Sequence, residues 1–387
     1  MSIILYDNAQ RKKLYPLNNC CATAMLRAGI FTIAERWQLF TNEPVYIHTE
    51  DYLSALYEPI PQGAHLWIDA GILNDQDLIE RILVLEEGEA LTDSNGLIAG
   101  RKNIAENDFN ILQSLDYFET IHEHANVKRL EYPWQIFLWN DEILRSDFEY
   151  IISKKQSQQL LAGSNYINPE NIFIEEGAEI SYCTINASTG PVYIGKNALI
   201  MEGAVIRGPL AVCEGAVIKM GAKIYGATTI GPFCMAGGEI KNAVLQGYSN
   251  KAHDGYLGDA VIGNWCNLGA GTTNSNVKNT AGAVKMWNAF TKSEIPVGIK
   301  CGVIIGDYSR AAINSSINTG TVIGTCSNVF GEGLLPTYIP DFNWGAAGIT
   351  KYKFDKAVQD INNWKKMKGQ QLSSAETQVL QHIFEQF

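Results

Sequence analysis

The chain has 387 residues, a formal net charge of −11, and 46% hydrophobic against 18% charged residues. No apolar run approaches the ~18 residues needed to span a bilayer, and an acidic chain offers no global basic field for nucleic acid or anionic lipid. The length suits two domains, or one domain and a repeat array.

The amino terminus reads MSIILYDNAQRKK, with Asp7 directly after four apolar residues and the basic cluster behind it, the reverse of the order in a secretory signal. Eight cysteines without a CxxC pair read as free or buried thiols in a reducing compartment, so a cytoplasmic location is expected. Over residues 1–160 the apolar runs IILY and HLWIDAGIL alternate with helical stretches, Ala24 to Phe40 and Asp77 to Leu85, which predicts an α/β layer domain. Ile151 to Ser164 reads as a linker.

From there a six-residue period takes over. Aliphatic residues return at Ile194, Ile200, Ile206, Val212, Ile218, Ile224 and Ile230 without a slip. A small residue follows four positions after most of them, at Ala198, Ala204, Ala216, Ala222, Thr228 and Cys234. The same phase starts at Ile174 and Ile180, and it recurs at Ile262, Leu268, Ile305, Ile317 and Ile323. Neither a helix nor an amphipathic strand has this period. A triangular solenoid does, with one short strand and a turn per hexad, so residues 165–345 are predicted to form a left-handed parallel β-helix. Gly195, Gly203, Gly215 and Gly221 are expected at positive φ in its turns. The period fails at residues 247–256 and 274–302, which are expected to leave the coil as loops. Residues 346–387 carry two helical patterns. Phe354, Ala357, Val358, Ile361 and Trp364 are stopped by Gly369, and a Ser373/Glu376 capping box opens the second pattern. Both are expected to cap the open end of the solenoid.

His253 is the only histidine of the repeat region, and it lies on the first interruption. An imidazole there could take the proton that an attacking amine or hydroxyl loses when it captures a thioester carbonyl. Alone, it reads more readily as a solvated histidine beside an Asp254–Gly255 turn.

The segment KAHDGYLGDAVIGNWCNLGAGT resembles the acetyltransferase core of the bifunctional N-acetylglucosamine-1-phosphate uridylyltransferase and glucosamine-1-phosphate N-acetyltransferase family. The likeness extends along nearly the whole chain to a shorter bacterial variant of it, through GPVYIG, GAKIYGATTIG, INTGTVIG and IPDFNWG. It implies that His253 is the catalytic base and that Tyr256 and Asn267 hold an amino sugar phosphate near the acetyl group. It further implies that Lys241 grips the sugar phosphate and that Ala270 offers a backbone contact to acetyl-CoA. Arg207 is a further phosphate-binding candidate, since a guanidinium forks onto phosphate oxygens. The family's β-helices pack as homotrimers with the acyl site between subunits, so the 274–302 loop is expected to reach a partner.

RKKLYPLNNCCATAMLRAGIFTIAERW and YPWQIFLWNDEIL resemble the opening and closing stretches of a sugar-1-phosphate nucleotidyltransferase domain. The glycine-rich loop that cradles nucleotide phosphates is replaced by YDNAQRKKLYP, and Thr23 stands where a phosphate-binding lysine is usual. Arg11, Arg27 and Gly29 remain as nucleotide-binding candidates, with Asp69 as a Mg²⁺ ligand. In IIGDYSRAAINSSINTG, Tyr308 and Arg310 replace an expected His and Lys on the acyl-CoA side.

The reading with most support is an acetyl-CoA-dependent acetyltransferase acting on an amino sugar-1-phosphate, fused to a nucleotidyltransferase-like domain in which nucleotidyl transfer is weak or absent. Two others stand beside it. One keeps nucleotidyl transfer as the activity and gives the β-helix to trimerisation, and the other is a non-catalytic trimeric sugar-nucleotide-binding protein.

Overall fold

A computed structural model describes residues 2–73, 76–346 and 348–386. The apolar run Ile3–Tyr6 is strand β1, buried along its length between two parallel neighbours, β2 (Val45–His48) and β3 (Ala64–Asp69). The sheet continues beyond β3 through β4 (Glu89–Asp93), β5 (Gly96–Asn103) and β6 (Thr120–Glu123) in the spatial order β2-β1-β3-β5-β4-β6. Among the helices packed with it are α1 (Ile33–Thr41), α2 (Gln76–Leu83) and α3 (Gln135–Lys154).

Two expectations change here. The helix predicted from Ala24 begins only at Ile33. Thr32 and Glu35 close a capping box there, and Gly29, at φ +74°, turns the preceding residues into a short antiparallel pair, Arg27–Ala28 with Phe31–Thr32. The predicted linker starts inside α3, which runs to Lys154 with Ile151 buried.

The hexads form a parallel β-solenoid with three faces. One face stacks Ile174, Ile194, Val212, Ile230, Leu245, Ile262, Ile305, Ile323 and Ile339 in register. A second stacks Tyr166, Ile185, Ile206, Ile224, Ile240 and Leu257. The third carries Ile180, Ile200, Ile218 and Ala236 in one column. Of the four glycines expected at positive φ, Gly203, Gly215 and Gly221 adopt it. Gly195 does not, and its lack of a side chain serves close approach instead, since a Cβ would sit 2.9 Å from the Cys213 carbonyl carbon.

Residues 247–256 do not leave the coil. Asn250–Lys251 is a strand paired in parallel with Met235–Ala236, and Asn250 pairs onward with Asn267. The coil shortens instead, from 18 residues (Val212 to Ile230) to 15 (Ile230 to Leu245) and 17 (Leu245 to Ile262). One strand, Glu239–Leu245, turns the corner between two faces unbroken through Asn242 at φ +50°. Losing corner residues keeps the strands and shifts the phase, which in sequence looks like an interruption.

The second break is a real excursion, a hairpin of β7 (Val284–Asn288) and β8 (Ser293–Gly298). Rather than projecting outward, it packs on its own chain. Val284 and Met286 are buried in the core of the amino-terminal domain, and Asn288 donates to the Lys13 carbonyl.

The amino-terminal domain covers the first face from Phe173 to Val322, with Tyr338 of the last coil half-buried. Val244, Val261, Ile304 and Val322 point outward into its core, while Phe173, Tyr193 and Ala211 meet Leu144, Phe148 and Ile151 of α3. A buried polar seam runs through this contact. Gln246 brackets the Arg27 backbone with bonds of 2.6 and 2.9 Å, Asn140 donates to the Ala227 carbonyl at 2.9 Å, and Thr229 donates to the Gly29 carbonyl.

Helices α4 (Phe354–Lys366) and α5 (Ser374–Glu385), the latter opened by the predicted Ser373/Glu376 capping box, lie along a solenoid edge rather than only over its end. That edge is a ladder of residues in left-handed conformation on successive coils: Phe233, Tyr248, Trp265, Tyr308, Cys326 and Phe342. Trp265, Tyr308, Cys326 and Phe342 share a core with Ala357, Ile361, Val379, Leu380 and Ile383. Among the described residues no helix is long and apolar enough to cross a membrane.

Candidate active site

With the first face and the aromatic edge covered, the second face stays open, and beyond the exposed Ile167 and Val205 of its early coils its outward residues are polar. One column reads Asn186, Arg207, Tyr225, Lys241 and the other Lys223, Glu239, Tyr256. Arg207, Lys241 and Tyr256 therefore share one surface. Lys241 Nζ lies 5.7 Å above the Tyr225 ring, whose hydroxyl donates to Glu239 at 2.6 Å. The Tyr256 hydroxyl accepts from Asn276 at 3.1 Å, and burial pushes its pKa up to about 12, so it is a neutral hydrogen-bonding group. Asn276 and Asn242 both donate to Asp259, at 2.6 Å each, which ties the root of the excursion to this face.

His253 sits on the corner that leads into this face. Its side chain is exposed, and the ring has no hydrogen-bond partner among the described residues. The corner rests on Gly237 and Gly238, where a Cβ at Gly238 would lie 2.7 Å from the His253 carbonyl oxygen. One coil further on, Gly271 donates to the Asp254 carbonyl, so exposed Ala270 stands on the same corner column as His253. The Ala270 carbonyl accepts from Asn314 at 2.7 Å. Asn267 lies on the third face, its side chain 3.4 Å from that of Asn250.

The structure thus gathers His253, Ala270, Tyr256, Lys241 and Arg207 on one corner and the face it opens, with Asn267 just around the corner. Tyr225, Glu239 and Asn276 belong to the same surface and were missed in the sequence. Tyr225 follows an inward Ile224 and so had to point out, whereas Asn276 lies in the non-periodic stretch and gave no signal. Tyr308 lies on the aromatic edge away from this corner, whereas Arg310 pairs in register with Asn267 on the third face. Tyr308 meets Glu376 under α5 and Arg310 packs 5.6 Å from the Trp364 ring of α4.

The amino-terminal candidates are scattered. Arg11 is buried and committed to Asp7, the Asn18 and Cys21 carbonyls, Tyr52 and Glu50. Arg27 is buried at the seam between Ile30 and Glu35. Gly29 accommodates Asp147, whose carboxylate a side chain at position 29 would strike. Where a glycine loop would cradle phosphates, the backbone N–H groups of Gln10, Arg11 and Lys13 are satisfied locally, and Thr23 is buried with its N–H on Asp7.

Asp69, beside a cleft of about 360 Å³, has both oxygens occupied, by Asn8, the Gly71 N–H and Arg129, which also reaches Asp93 at 3.1 Å. A Mg²⁺ ion does not fit this donor set. The Arg129 cation already stands between the two carboxylates, and among the described residues no group of three or more His, Cys, Asp or Glu side chains could hold a metal.

Near the Asn267 coil, burial pushes Asp307 up to about 7 and Asp341 up to about 6. A carboxyl raised above its ordinary value near 4 favours the folded state while protonated, so its contribution is complete below about pH 4 and lost as pH rises through 6 to 7. Urea midpoints are therefore expected to fall between pH 5 and 7.5. Asp307→Asn, which still accepts the Asn264 N–H, is expected to fall less over that range. An unchanged pH slope in the variant would remove Asp307 from this account.

Residues 3–156 match the family model described as sugar nucleotidyl transferase. The chain is similar to the bifunctional protein GlmU of Synechococcus elongatus, at 26% identity covering 55% of this chain and 47% of that protein. It is also similar to that of Geotalea daltonii, at 31% identity covering 37% and 36%. The chain spans about half the length, or less, of these relatives. Solved structures of the polySia specific acetyltransferase NeuO (14% identity, TM-score 0.26, covering 53% of this chain and 93% of that one) and of an Arabidopsis UDP-N-acetylglucosamine acyltransferase (13%, 0.22, 59% and 97%) also match. Scores this low bear on neither fold nor function. Residues 3–156, which match that family model, are followed by a parallel β-solenoid and two carboxy-terminal helices, and the chain is similar to the bifunctional GlmU proteins over about half its length.

Proposed function

We propose that this relative of the bifunctional GlmU proteins transfers the acetyl group of acetyl-CoA to an amino sugar-1-phosphate on the open face of its solenoid. The left-handed wind expected from the hexads, a homotrimer that closes the open face and a cytoplasmic location belong to the same reading. The observation that carries it is the corner at His253, an exposed imidazole beside a face that offers a cation at Lys241, a second cation at Arg207 and the hydroxyl of Tyr256. In this scheme the sugar amine attacks the thioester carbonyl, and a ring nitrogen of His253 takes the proton that the amine loses. CoA departs as the thiolate and is protonated in turn. Lys241 and Arg207 hold the phosphate, Tyr256 and Asn267 orient the sugar, and the Ala270 backbone meets the acyl donor. Among its described residues the amino-terminal domain offers neither a phosphate cradle nor a Mg²⁺ donor set, so no nucleotidyl step is assigned to it.

Incubation with acetyl-CoA and a panel of amino sugar phosphates, followed by release of the CoA thiol, tests the proposal, and silence across the panel would overturn it. Lys241→Ala is expected to raise KM for the sugar phosphate by roughly 10-fold or more with kcat little changed. A charge-assisted contact made equally in ground and transition states is lost on that substitution. A fall in kcat at constant KM would place Lys241 in the chemistry instead.

A further inference from the structure

The inward column of the third face contains a lysine. Below it lie Ile180, Ile200, Ile218 and Ala236, and Lys251 pairs with Ala236 at the next level, where the other coils carry aliphatic side chains. Lys251 is 1% exposed. Burial lowers its pKa to about 8, as expected for an ammonium taken out of water.

An ammonium in an apolar axis is unfavourable unless its donors are met. Here they meet two backbone carbonyls of the same corner, Gly237 O at 3.3 Å and His253 O at 2.6 Å. Neither carbonyl accepts a backbone N–H among the described residues. The shortened coil has left Gly237 O without the N–H from its own turn that Met201 O and Lys219 O accept, and His253 O without the next-level N–H that Glu202 O and Ala270 O accept. A buried carbonyl without a partner is itself destabilising. Small Ala236 beneath leaves room for the lysine stem. The only cation inside this column therefore grips, from within, the residue whose side chain stands outside as the candidate base.

We propose that Lys251 is a positioning residue, whose side chain holds the His253 backbone so that the imidazole is aimed at the acceptor amine although Lys251 touches no substrate. This rests on the acetyltransferase reading. It differs from a purely structural role in acting through one side chain.

Lys251→Met keeps the apolar stem and removes the donors. The expected result is a kcat lower by roughly 10- to 100-fold, the scale of a misplaced catalytic group, with KM for acetyl-CoA and sugar phosphate nearly unchanged. In a His253→Ala background the same substitution should add almost nothing, because the group it positions is gone. Amide hydrogen exchange should quicken at Gly237, Glu239 and Gly271, whose N–H groups bond to the Lys251, Gly255 and Asp254 carbonyls of this corner, while the coils over residues 192–230 keep their protection. Wild-type kcat in Lys251→Met, or an equal fall in both backgrounds, would overturn the proposal. If the parent protein shows no acetyl transfer, the acetyltransferase reading fails separately, and exchange decides alone, with unchanged corner protection counting against Lys251. Should the Met variant not fold, Lys251→Leu, which matches the aliphatic residues of the column and also lacks donors, takes its place in the same measurements.

Discussion

His253→Ala is expected to lower the rate of acetyl transfer by about 10² to 10⁴, the range typical of removing a general base, while the melting temperature stays close to that of the parent. The two halves of this expectation have separate causes. No other histidine lies between residues 165 and 345, so no second imidazole on the solenoid can take over the proton. The stability half follows from exposure. The ring stands outside the coil without a partner among the described residues, and the bonds that shape its corner run through backbone and Lys251. Steady-state kinetics with acetyl-CoA and the accepted sugar phosphate, alongside thermal denaturation, separates the two. The neighbouring Asp254→Asn, equally exposed, serves as control and should keep a rate near that of the parent. A His253→Ala protein working at full rate would return this histidine to an ordinary solvated corner.

Asp147→Ala is expected to destabilise the protein by about 3 to 5 kcal/mol, the cost typical of removing one member of a buried ion pair. Asp147 on α3 is fully buried and takes both terminal nitrogens of Arg36 on α1, with a further bond from the Ile30 N–H at 2.8 Å. Truncation leaves the guanidinium and that N–H buried together. The pair also stands at the junction of the two halves, since α3 packs both on the amino-terminal sheet and on the first solenoid face. Replacing both partners with apolar side chains, Arg36→Met with Asp147→Leu, should recover most of the loss, because no uncompensated charge remains. Denaturant midpoints of the three proteins decide. A loss under about 1 kcal/mol in Asp147→Ala, a surface-pair value, would contradict the burial on which the argument stands.

The hexads announced the solenoid because each coil touches mainly its neighbours, so its rule is local and repeats along the chain. They also place Tyr225 and Arg207 outward, since each follows an inward isoleucine by one residue, whereas Lys241 follows an isoleucine off the period and is reached only through the family resemblance. The same reasoning misplaced residues 247–256, because a corner shortened within an intact strand shifts the phase just as a loop would. It also could not see that Lys251 occupies an axis position, which depends on pairing with Ala236 across the shortened coil.

What the sequence determined by itself is the repeat, the inward and outward sides of most coils, the terminal capping box and the identity of His253 as the histidine of the repeat region. The tertiary structure alone decided which faces stay open and what the amino-terminal candidates do. Arg129 reaches Asp69 across 60 residues, Gln246 meets Arg27 across 219, and β7 returns to the domain near Lys13. Such partners follow no period. They arise because a charged group withdrawn from water must find an opposite charge or a carbonyl wherever the fold supplies one, and because an outward valine on a flat solenoid face is as apolar as an inward one. In Val244, Val261, Ile304 and Val322 that excess of apolar surface was present in the sequence, but only the packed domain shows what covers it.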